Sequence, residues 1–517
     1  MKIKSILELN KKEVKNFLLK SRQYCTLELP DYIDFDGVLN VCQERLGTKT
    51  LGEVVDFEKL DGECLRVNHN ISIPKGNGRG TRNITLTNPV LYNLLVNAIV
   101  DNWELLLESF AKGQNEGVEV SSLPVVPENK EKFHNSTAIL NWWNLMEQGS
   151  LRRSLKYKRM MVTDISHCYE NISLECVKNA LLHVGVVDPS KTRKIMARDI
   201  ENVLGTIEMC NGSDGLPQGS VVYDLLAELV LMNVDAHIVR ELEKLNLADK
   251  CEILRYRDDY RVFSNSMDAL YEVRGVLKRV LATFGMELNI QKTYISEDIV
   301  SDALKKDKVY DIENTPIYNG KDWAFKGLTK HLYYIKSFGD KFPDSGQLKR
   351  LLGEFDDRLT NYNPAMDLGD IKIYAGPSIV EDVEPMIAIA VHILEQNPTC
   401  IPQLSRIIGR LSSLQCTDKQ LKTNINVCQL LIEAENSNYA QVWLQKLTNH
   451  PEAKDKVHYD EPLCSCIDNK ENVIWDYSFL RKDLCEVQDV DVEIVDAEIL
   501  NEEPMIPNEV LLTLGYE

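Results

Sequence analysis

Two adjacent carboxylates, Asp258 and Asp259, stand between two short apolar runs in the segment ILRYRDDYRVF, residues 253–263. Apolar residues on both sides of a polar centre predict two strands joined by a tight turn, with both carboxylates at its tip. Neighbouring carboxylates repel each other, and a hard divalent cation such as Mg²⁺ supplies the charge that offsets this repulsion. Taken alone, the segment is also compatible with an exposed acidic turn.

A third carboxylate, Asp164, lies 94 residues before Asp258, at the end of the apolar run MMVTD. If this run is a strand beside the predicted hairpin, Asp164, Asp258 and Asp259 form one cluster. Such a cluster can hold two cations about 4 Å apart, the arrangement that serves in-line phosphoryl transfer. The three aspartates are therefore the candidate catalytic and metal-binding residues.

Two further motifs have the chemistry to meet an anionic ligand. GLPQGS, residues 215–220, precedes a strongly apolar helix, so its glycines allow close backbone approach and the helix N-terminus presents amides to negative charge. Lys292, in the later segment MELNIQKT, is a cation suited to contact a phosphate. Each also has an ordinary interpretation, the first as a capped helix start and the second as a solvent-exposed lysine.

The elements predicted around these motifs describe an α+β chain. Residues 71–86 are predicted to be extended about a glycine-rich turn, and residues 89–110 to form one helix. From about residue 159 to 334, short apolar strands alternate with amphipathic helices. After residue 345 the strand pattern ends, and the spacing predicts an irregular α-repeat. Its predicted helices span residues 381–395, 401–414, 418–434 and 439–447.

The composition is that of a folded globular chain of 517 residues, 44 % apolar and 27 % charged. The formal net charge is −20, and residues 486–517 contribute ten acidic and no basic side chains. Residues 151–159, LRRSLKYKR, concentrate positive charge instead, which suits a solvated helix face or, beside the predicted site, contact with nucleic acid. Thirteen scattered cysteines without a CxxC pair favour reduced thiols over disulfides or a zinc site.

The N-terminus predicts no export or membrane insertion. No run of eighteen apolar residues occurs, and MKIKSILELNKKEVKNFLLK has the pattern of an amphipathic helix rather than of a signal peptide. We therefore expect a cytoplasmic protein without a membrane partner.

Four segments, taken in order, resemble motifs A, B, C and D in the palm of reverse transcriptases: TDISHCYENI, GLPQGS, RYRDDYRVF and LNIQKT. The segment IPKGNGRGTRNITLTNPVLYNLL resembles the fingers of these polymerases, and residues 323–328 resemble their primer-grip hairpin. The likeness covers about residues 65–335. The R-Y-R-D-D-Y-R form joined to a helical C-terminal half is most similar to bacterial abortive-infection and defence-associated enzymes of the AbiK kind.

The resemblance implies a right-hand polymerase architecture. Fingers and a palm built on a ferredoxin-like sheet would be followed by an all-α, helical-repeat C-terminal domain. The implied division is an N-terminal helical extension (1–64), fingers (65–160), a palm with motifs A to E (161–340), the C-terminal domain (341–485) and an acidic tail (486–517).

The resemblance also implies roles for single residues. Asp164, Asp258 and Asp259 would bind two Mg²⁺ ions, with Mn²⁺ as a substitute, and the Ile165 carbonyl would be a further ligand. Tyr169 would lie under the sugar of the incoming nucleotide and select dNTPs. The other implied nucleotide contacts are Lys75, Arg79, Arg82, Gln218, Gly219 and Lys292. The implied primer or product contacts are Tyr256, Lys156, Lys158 and Arg159.

The implied function is DNA synthesis from dNTPs in bacterial defence against phage. Members of this kind are implied to be homo-oligomers, here expected as a trimer or hexamer, and to act on RNA and single-stranded DNA product. Some start synthesis from a protein hydroxyl or work with a non-coding RNA. The candidate priming hydroxyls, by position only, are Tyr24, Tyr32 and Tyr516.

Two other functions stay open at this level. A polymerase-like palm can survive as a catalytically marginal scaffold that binds RNA or single-stranded DNA as a defence effector, although all three aspartates are present here. RNA-dependent RNA polymerisation would need a small or polar residue at the sugar gate, and Tyr169 argues against it. The helical C-terminal half is predicted either to enclose nucleic acid or to form an oligomerisation scaffold.

Overall fold

The computed structural model describes ten ranges of the chain, in which strands are labelled β1–β10 and helices α1–α23. These ranges are residues 4–60, 67–76, 80–114, 117–126, 141–211, 214–314, 328–360, 383–469, 474–481 and 494–501.

The N-terminal region is mainly helical, as predicted. Its first longer helix begins with a capping box, because the Asn10 side chain accepts hydrogen bonds from the backbone of Lys12 and Glu13 and the Glu13 side chain reaches back to Asn10. These contacts satisfy amides that a helix start leaves free. The elements are β1 (Lys4–Ser5), α1 (Lys11–Leu18), α2 (Ser21–Tyr24), α3 (Asp36–Leu46) and α4 (Leu51–Val54).

The extended segment predicted at residues 71–86 is confirmed as an antiparallel hairpin of β2 (His69–Pro74) and β3 (Thr81–Leu86).

The prediction of one helix over residues 89–110 is wrong in one respect. The chain forms two helices, α5 (Pro89–Asp101) and α6 (Trp103–Gly113), bent by 69°. At the bend, the buried Trp103 donates its indole N–H to the Leu9 carbonyl at 2.9 Å.

No single helix in the described ranges is long and apolar enough to cross a bilayer, and within those ranges only the bent pair α5 and α6 reaches that length and composition together.

Residues 118–296 contribute the strands of a six-stranded sheet. Its path is β10-β6-β8-β7-β4, and β9 also pairs with β6. The remaining strand of this part of the chain, β5, pairs with β1 instead. The strands are β4 (Val118–Val120), β5 (Val125–Val126), β6 (Arg159–Ser166), β7 (Cys251–Tyr256), β8 (Asp259–Ser264), β9 (Glu287–Leu288) and β10 (Tyr294–Ser296).

Helices connect the strands of this sheet and give it the predicted topology. A π-helical turn, Trp143–Gln148, and α7 (Gly149–Arg153) precede β6. The order β10-β6-β8-β7 with helices after β6 and after β8 is the β-α-β-β-α-β connectivity of a ferredoxin-like sheet. The connecting helices are α8 (Cys168–Asn171), α9 (Leu174–His183), α10 (Lys191–Asn211), α11 (Val221–Lys244) and α12 (Met267–Thr283).

The two faces of the sheet differ, because successive strand residues point to opposite sides. Tyr260 and Val262 of β8 belong to the main core, on the side of α11 and α12. Asp259 and Arg261 of the same strand point to the other face. Under the π-helical turn this second face carries a small apolar cluster of Leu145, Met146, Tyr157, Met160, Leu254, Tyr256, Phe263 and Ile299.

A buried ion cluster fixes β7 and β8 to α11. The fully buried Arg255 guanidinium contacts Glu228 (Nη2–Oε1 2.6 Å) and Asp235 (Nε–Oδ2 2.7 Å). The Tyr260 hydroxyl donates to Asp235 at 3.0 Å, and the Ser122 hydroxyl donates to Glu228 at 2.8 Å. Burial of charge is tolerated here because every charged group has close partners.

The loop GLPQGS before α11 is held by backbone contacts to other motifs. The Leu216 N–H donates to the Tyr169 carbonyl at 2.9 Å, and the Gln218 carbonyl accepts from the Thr85 N–H of β3 at 2.8 Å. Gly215 has φ +92°, and a Cβ there would overlap the Glu170 carbonyl of α8. The loop therefore needs glycine for both conformation and space.

The C-terminal region is helical, and its four predicted helices are confirmed with ends shifted by at most three residues. The described helices are α13 (Ile299–Ala303), α14 (Lys306–Asn314), α15 (Leu328–Lys341), α16 (Gly346–Thr360), α17 (Glu384–Gln396), α18 (Ile401–Ser413), α19 (Thr417–Ile432), α20 (Asn438–Leu444), α21 (Pro451–Lys454), α22 (Pro462–Asn469) and α23 (Ala497–Asn501).

The last described segments return to the N-terminal region. Trp475 donates its indole N–H to the Leu86 carbonyl at the end of β3, at 3.0 Å. Val495 pairs with Ile33 in an isolated antiparallel bridge. The apolar residues of the N-terminal extension and of residues 494–501 share the main core, so this part of the predicted acidic tail is a docked segment.

No disulfide joins the cysteines of the described ranges. The eleven that fall within the described ranges are all free thiols, and ten of them are buried. Cys464 and Cys466 are among the buried side chains.

We predict that Arg255→Met lowers the free energy of unfolding by about 3–5 kcal/mol, because it leaves the carboxylates of Glu228 and Asp235 buried without their cation. Denaturant unfolding measures this change. The matched control is Arg198→Met, since the Arg198 side chain is 65 % exposed and forms its ion pair with its sequence neighbour Asp199. Equal stability of the two variants would contradict the described cluster.

We predict that Gly215→Ala destabilises the protein more than Gly285→Ala does. Both glycines have positive φ, at +92° and +72°, but a Cβ at Gly285 has no atom within 4 Å. Gly285→Ala should therefore cost only the backbone strain, about 1 kcal/mol. Gly215→Ala should cost about 1–3 kcal/mol more from overlap with Glu170. Equal losses in thermal unfolding would show that the loop does not pack on α8 as described.

Candidate functional site

Three aspartates meet where β6 and β8 run side by side. Asp164 and Asp259 are register partners across these antiparallel strands, which puts their Cα atoms about 5 Å apart. Asp258 lies in the adjoining turn, and its carbonyl accepts a hydrogen bond from the Ile165 N–H at 3.1 Å. The structure thus brings together the three carboxylates that the sequence places 94 residues apart. Their role as metal ligands stays a prediction.

The β7–β8 turn has an uncommon backbone conformation. Arg257, its first residue, has φ +53°, in the left-handed region that few non-glycine residues adopt. The Arg257 carbonyl accepts a hydrogen bond from Nη1 of the buried Arg255 at 3.2 Å. The ion cluster on α11 therefore supports the turn that presents Asp258.

The charges of the three carboxylates are only partly balanced. Loss of hydration and the neighbouring Asp259 raise the pKa of Asp258 to about 6. Asp164 Oδ1 is buried and has no hydrogen-bond partner, whereas Oδ2 accepts a contact of 2.6 Å from Lys292 Nζ. Burial opposes the charged form of Lys292, but its contact with Asp164 outweighs burial and raises the pKa of Lys292. The cluster therefore has excess negative charge and an oxygen left for a further ligand.

These residues fit a hard divalent cation by their chemistry. Carboxylate oxygens are the ligands that Mg²⁺ and Mn²⁺ prefer, and Asp164 Oδ1 is an unused one. Within the described part of the chain, no three candidate side chains already stand as a complete ligand set. Lys292 instead supplies positive charge at Asp164. The Ile165 residue is buried beside them, and its carbonyl stays a predicted ligand.

Lys292 is positioned by the strand that carries Asp164. It ends the short 3-10 turn Ile290–Lys292, and the Asn289 N–H before this turn donates to the Asp164 carbonyl at 2.8 Å. The residue before Asp164 and the residue after Lys292 are also in contact, because the hydroxyls of Thr163 and Thr293 lie 2.7 Å apart. The cation predicted from LNIQKT thus lies at the aspartate cluster, and its contact with a phosphate stays a prediction.

Tyr169 follows the same strand, in α8. Its hydroxyl donates to Asp224 Oδ1 at 2.6 Å, and burial raises its pKa well above the ordinary value. Asp224 lies in the first turn of α11, directly after GLPQGS. The sequence motifs do not include this aspartate, although its position four residues into the helix after Ser220 is a signal that could have identified it.

Two further residues missed by motif analysis lie against Asp259. The Trp142 side chain favours the charged form of Asp259 and so opposes the rise of its pKa, and Lys305 Nζ lies 4.2 Å from the centroid of the Trp142 ring, a cation–π contact. On the same face, Arg261 donates to the Met146 carbonyl at 2.7 Å. Residues 142–150 therefore cover much of the sheet face that bears the carboxylates.

The basic run lies away from the aspartates. Lys156, Lys158 and Arg159 stand at or before the start of β6, and Asp164 lies five residue steps along the strand from Arg159, a distance of about 16 Å. Lys156 also contacts Glu252 at 2.5 Å. Proximity in the sequence therefore overstates proximity to the site, and contact of these residues with nucleic acid stays a prediction.

The other predicted contacts are placed as follows. Lys75 and Arg82 lie toward the turn end of the β2–β3 hairpin, whereas Arg79 lies outside the described residues. Tyr256 is almost fully buried in the small apolar cluster on the carboxylate face, and burial raises its pKa to about 12. Gln218 belongs to the loop already described. Residues 323–327 of the predicted primer grip lie outside the described ranges.

The structure corrects two of the three candidate priming tyrosines. Tyr24 and Tyr32 are 1 % and 2 % exposed, and burial raises the pKa of both hydroxyls. Tyr24 donates to the Thr87 carbonyl, and Tyr32 donates to the Val442 carbonyl at 3.0 Å. Neither hydroxyl is accessible to a nucleotide in this conformation, because both serve the core. Tyr516 lies outside the described residues.

Among solved structures, the chain is similar to two telomerases. One is telomerase from Candida albicans in complex with a TWJ fragment of telomeric RNA, at 12 % identity over 80 % of this chain and 75 % of that one, with a TM-score of 0.31. The other is apo telomerase from Candida tropicalis, at 12 % identity over 94 % and 79 %, with a TM-score of 0.30. Such low TM-scores support no conclusion on fold or function.

A family match is more informative than these structures. The chain has no match among curated protein sequences. Residues 88–315 match the family described as Reverse transcriptase (RNA-dependent DNA polymerase). The matched range holds all three clustered aspartates, the GLPQGS loop and Lys292. The chain therefore contains a reverse transcriptase domain at residues 88–315.

Proposed function

We propose that this chain is a Mg²⁺-dependent polymerase that joins deoxynucleotides, with Asp164, Asp258 and Asp259 as its metal ligands. The observation that carries the proposal is the meeting of these carboxylates at one point of the sheet, inside the range that matches the reverse transcriptase family. Two bound ions would activate the attacking hydroxyl and stabilise the leaving oxygen of an in-line displacement.

The chain's own residues orient the substrates in this proposal. Lys292, whose ammonium contacts Asp164, would meet the departing pyrophosphate. Lys75 and Arg82 hold the triphosphate from the hairpin. The Tyr169 ring closes the space beside the sugar, so that a 2′-hydroxyl is excluded. Gln218 and Gly219 border the new base pair.

The proposed cellular role is defence against phage by abortive infection, in a bacterial cytoplasm. The support is the resemblance of R-Y-R-D-D-Y-R, joined to a helical C-terminal half, to enzymes of that kind. The proposal includes a homo-oligomer, RNA and single-stranded DNA product as partners, and priming from a protein hydroxyl other than Tyr24 and Tyr32. Lys156, Lys158 and Arg159 are the proposed product contacts.

We predict that purified protein incorporates labelled dNTPs in Mg²⁺ and that Asp258→Asn lowers this rate at least about a hundredfold. Loss of one metal ligand removes several kcal/mol of transition-state stabilisation. Removal of divalent ions by EDTA should have the same effect. In cells challenged with phage, the wild type should protect the culture and Asp258→Asn should not.

The control is Asp249→Asn, which changes an exposed carboxylate in the turn Ala248–Lys250 and should keep full activity. If wild type and Asp258→Asn are equally inactive in Mg²⁺ and in Mn²⁺ while both bind RNA, the polymerase proposal is wrong. That result would favour the nucleic-acid-binding scaffold.

A further inference from the structure

Tyr169, Asp224 and Arg257 form a continuous chain of contacts that joins three motifs. The Tyr169 hydroxyl donates to one oxygen of Asp224 at 2.6 Å, and Arg257 Nη2 contacts the other at 2.8 Å. Asp224 is 11 % exposed and Arg257 35 % exposed, so the pair is shielded on the carboxylate side. The Asp224 carboxylate raises the pKa of Arg257 further above its ordinary value.

Each member of this chain is attached to a fixed backbone. The Tyr169 carbonyl accepts from the N–H groups of Leu216 and Ile172, at 2.9 and 3.2 Å. Asp224 lies in the first turn of α11, and Arg257 is held in the β7–β8 turn by Arg255. The backbone of Tyr169 is therefore held by contacts that do not involve its hydroxyl. The hydrogen bond from the hydroxyl to Asp224 additionally fixes the orientation of the ring.

Arg257 makes this contact although it is the immediate neighbour of Asp258. Its described side-chain contact is with Asp224, across the turn on α11. The Arg257 guanidinium, a group that can donate two parallel hydrogen bonds to a carboxylate, therefore contacts the Asp224 carboxylate that orients the ring. Asp224 therefore has one oxygen for the tyrosine and one for the arginine.

We infer that Asp224 and Arg257 are positioning residues for sugar selectivity: they hold the Tyr169 ring in the orientation that excludes a 2′-hydroxyl. The inference rests on the proposed function and deepens it, since it assigns the preference for deoxynucleotides to a network of three side chains. Neither Asp224 nor Arg257 touches the sugar. Their effect passes through the ring.

The test compares the preference for dATP over ATP, which differ only in the 2′-hydroxyl, in the wild type and in Tyr169→Phe, Asp224→Asn, Arg257→Met and Arg257→Lys. The ratio of kcat/KM for the two nucleotides should fall about tenfold in Tyr169→Phe, as expected for loss of one hydrogen bond to a charged acceptor. Asp224→Asn and Arg257→Met should lower this ratio about threefold or more. The first variant leaves Tyr169 a neutral hydrogen-bond acceptor, and the second leaves the Asp224 carboxylate without its cation. Arg257→Lys should restore most of the preference.

The double variant Tyr169→Phe/Asp224→Asn should be no less selective than Tyr169→Phe alone, because the residues act as one unit. The matched controls are Tyr271→Phe and Asp249→Asn, two exposed residues away from the network. Melting temperatures of all variants identify any loss of fold. The affinity ratio for the same two nucleotides, measured with Ca²⁺ in place of Mg²⁺, gives a second measure that needs no turnover.

The outcomes separate the inference from the proposed function. Folded variants of all three residues that keep the wild-type preference would overturn the inference and leave the polymerase proposal intact. A wild type that neither joins nor binds nucleotides would overturn both. A drop in preference that follows the melting temperature, and is equal in the control variants, would also overturn the inference.

Discussion

Mutual repulsion among three carboxylates is the constraint on which the site depends. Asp164 and Asp259 are held side by side by the β6–β8 ladder, and Asp258 by the adjoining turn. Each is fixed by backbone pairing, so repulsion cannot separate them without breaking the sheet. Nearby cations offset part of the negative charge. Lys292 forms an ion pair with Asp164, and Lys305, which contacts the Trp142 ring, lies beside Asp259. A metal ion would replace that compensation rather than create the site.

Support for the turn comes from the opposite face of the sheet. Arg255, fully buried between two carboxylates of α11, also binds the carbonyl of Arg257. Strand alternation explains this division, because residues 255 and 260 face α11 while 256 and 259 face the carboxylate side. One short segment, R-Y-R-D-D-Y-R, therefore supplies both the charged core that fixes the turn and the carboxylates that it presents.

Much of this could be predicted from the sequence, because local periodicity records which residues face the core. The β7–β8 hairpin, the β2–β3 hairpin and the C-terminal helices follow from such patterns. Contacts between distant segments leave no local pattern. The pairing of Arg255 with Glu228, the hydrogen bond from Tyr169 to Asp224 and the burial of Tyr24 against the Thr87 carbonyl depend on packing of the whole chain. Trp103, at the break between α5 and α6, likewise bonds to a distant carbonyl, that of Leu9.

Binding of Mn²⁺, followed by electron paramagnetic resonance of the free ion, tests the central claim most directly, because it reports on the carboxylates without requiring a primer or template. We predict that the wild type binds Mn²⁺ in the presence of a dNTP and that Asp164→Asn and Asp258→Asn each weaken this binding at least about tenfold, as expected for loss of a charged ligand. The control Asp249→Asn should bind like the wild type. Equal binding by all four proteins would show that the three aspartates do not form a metal site.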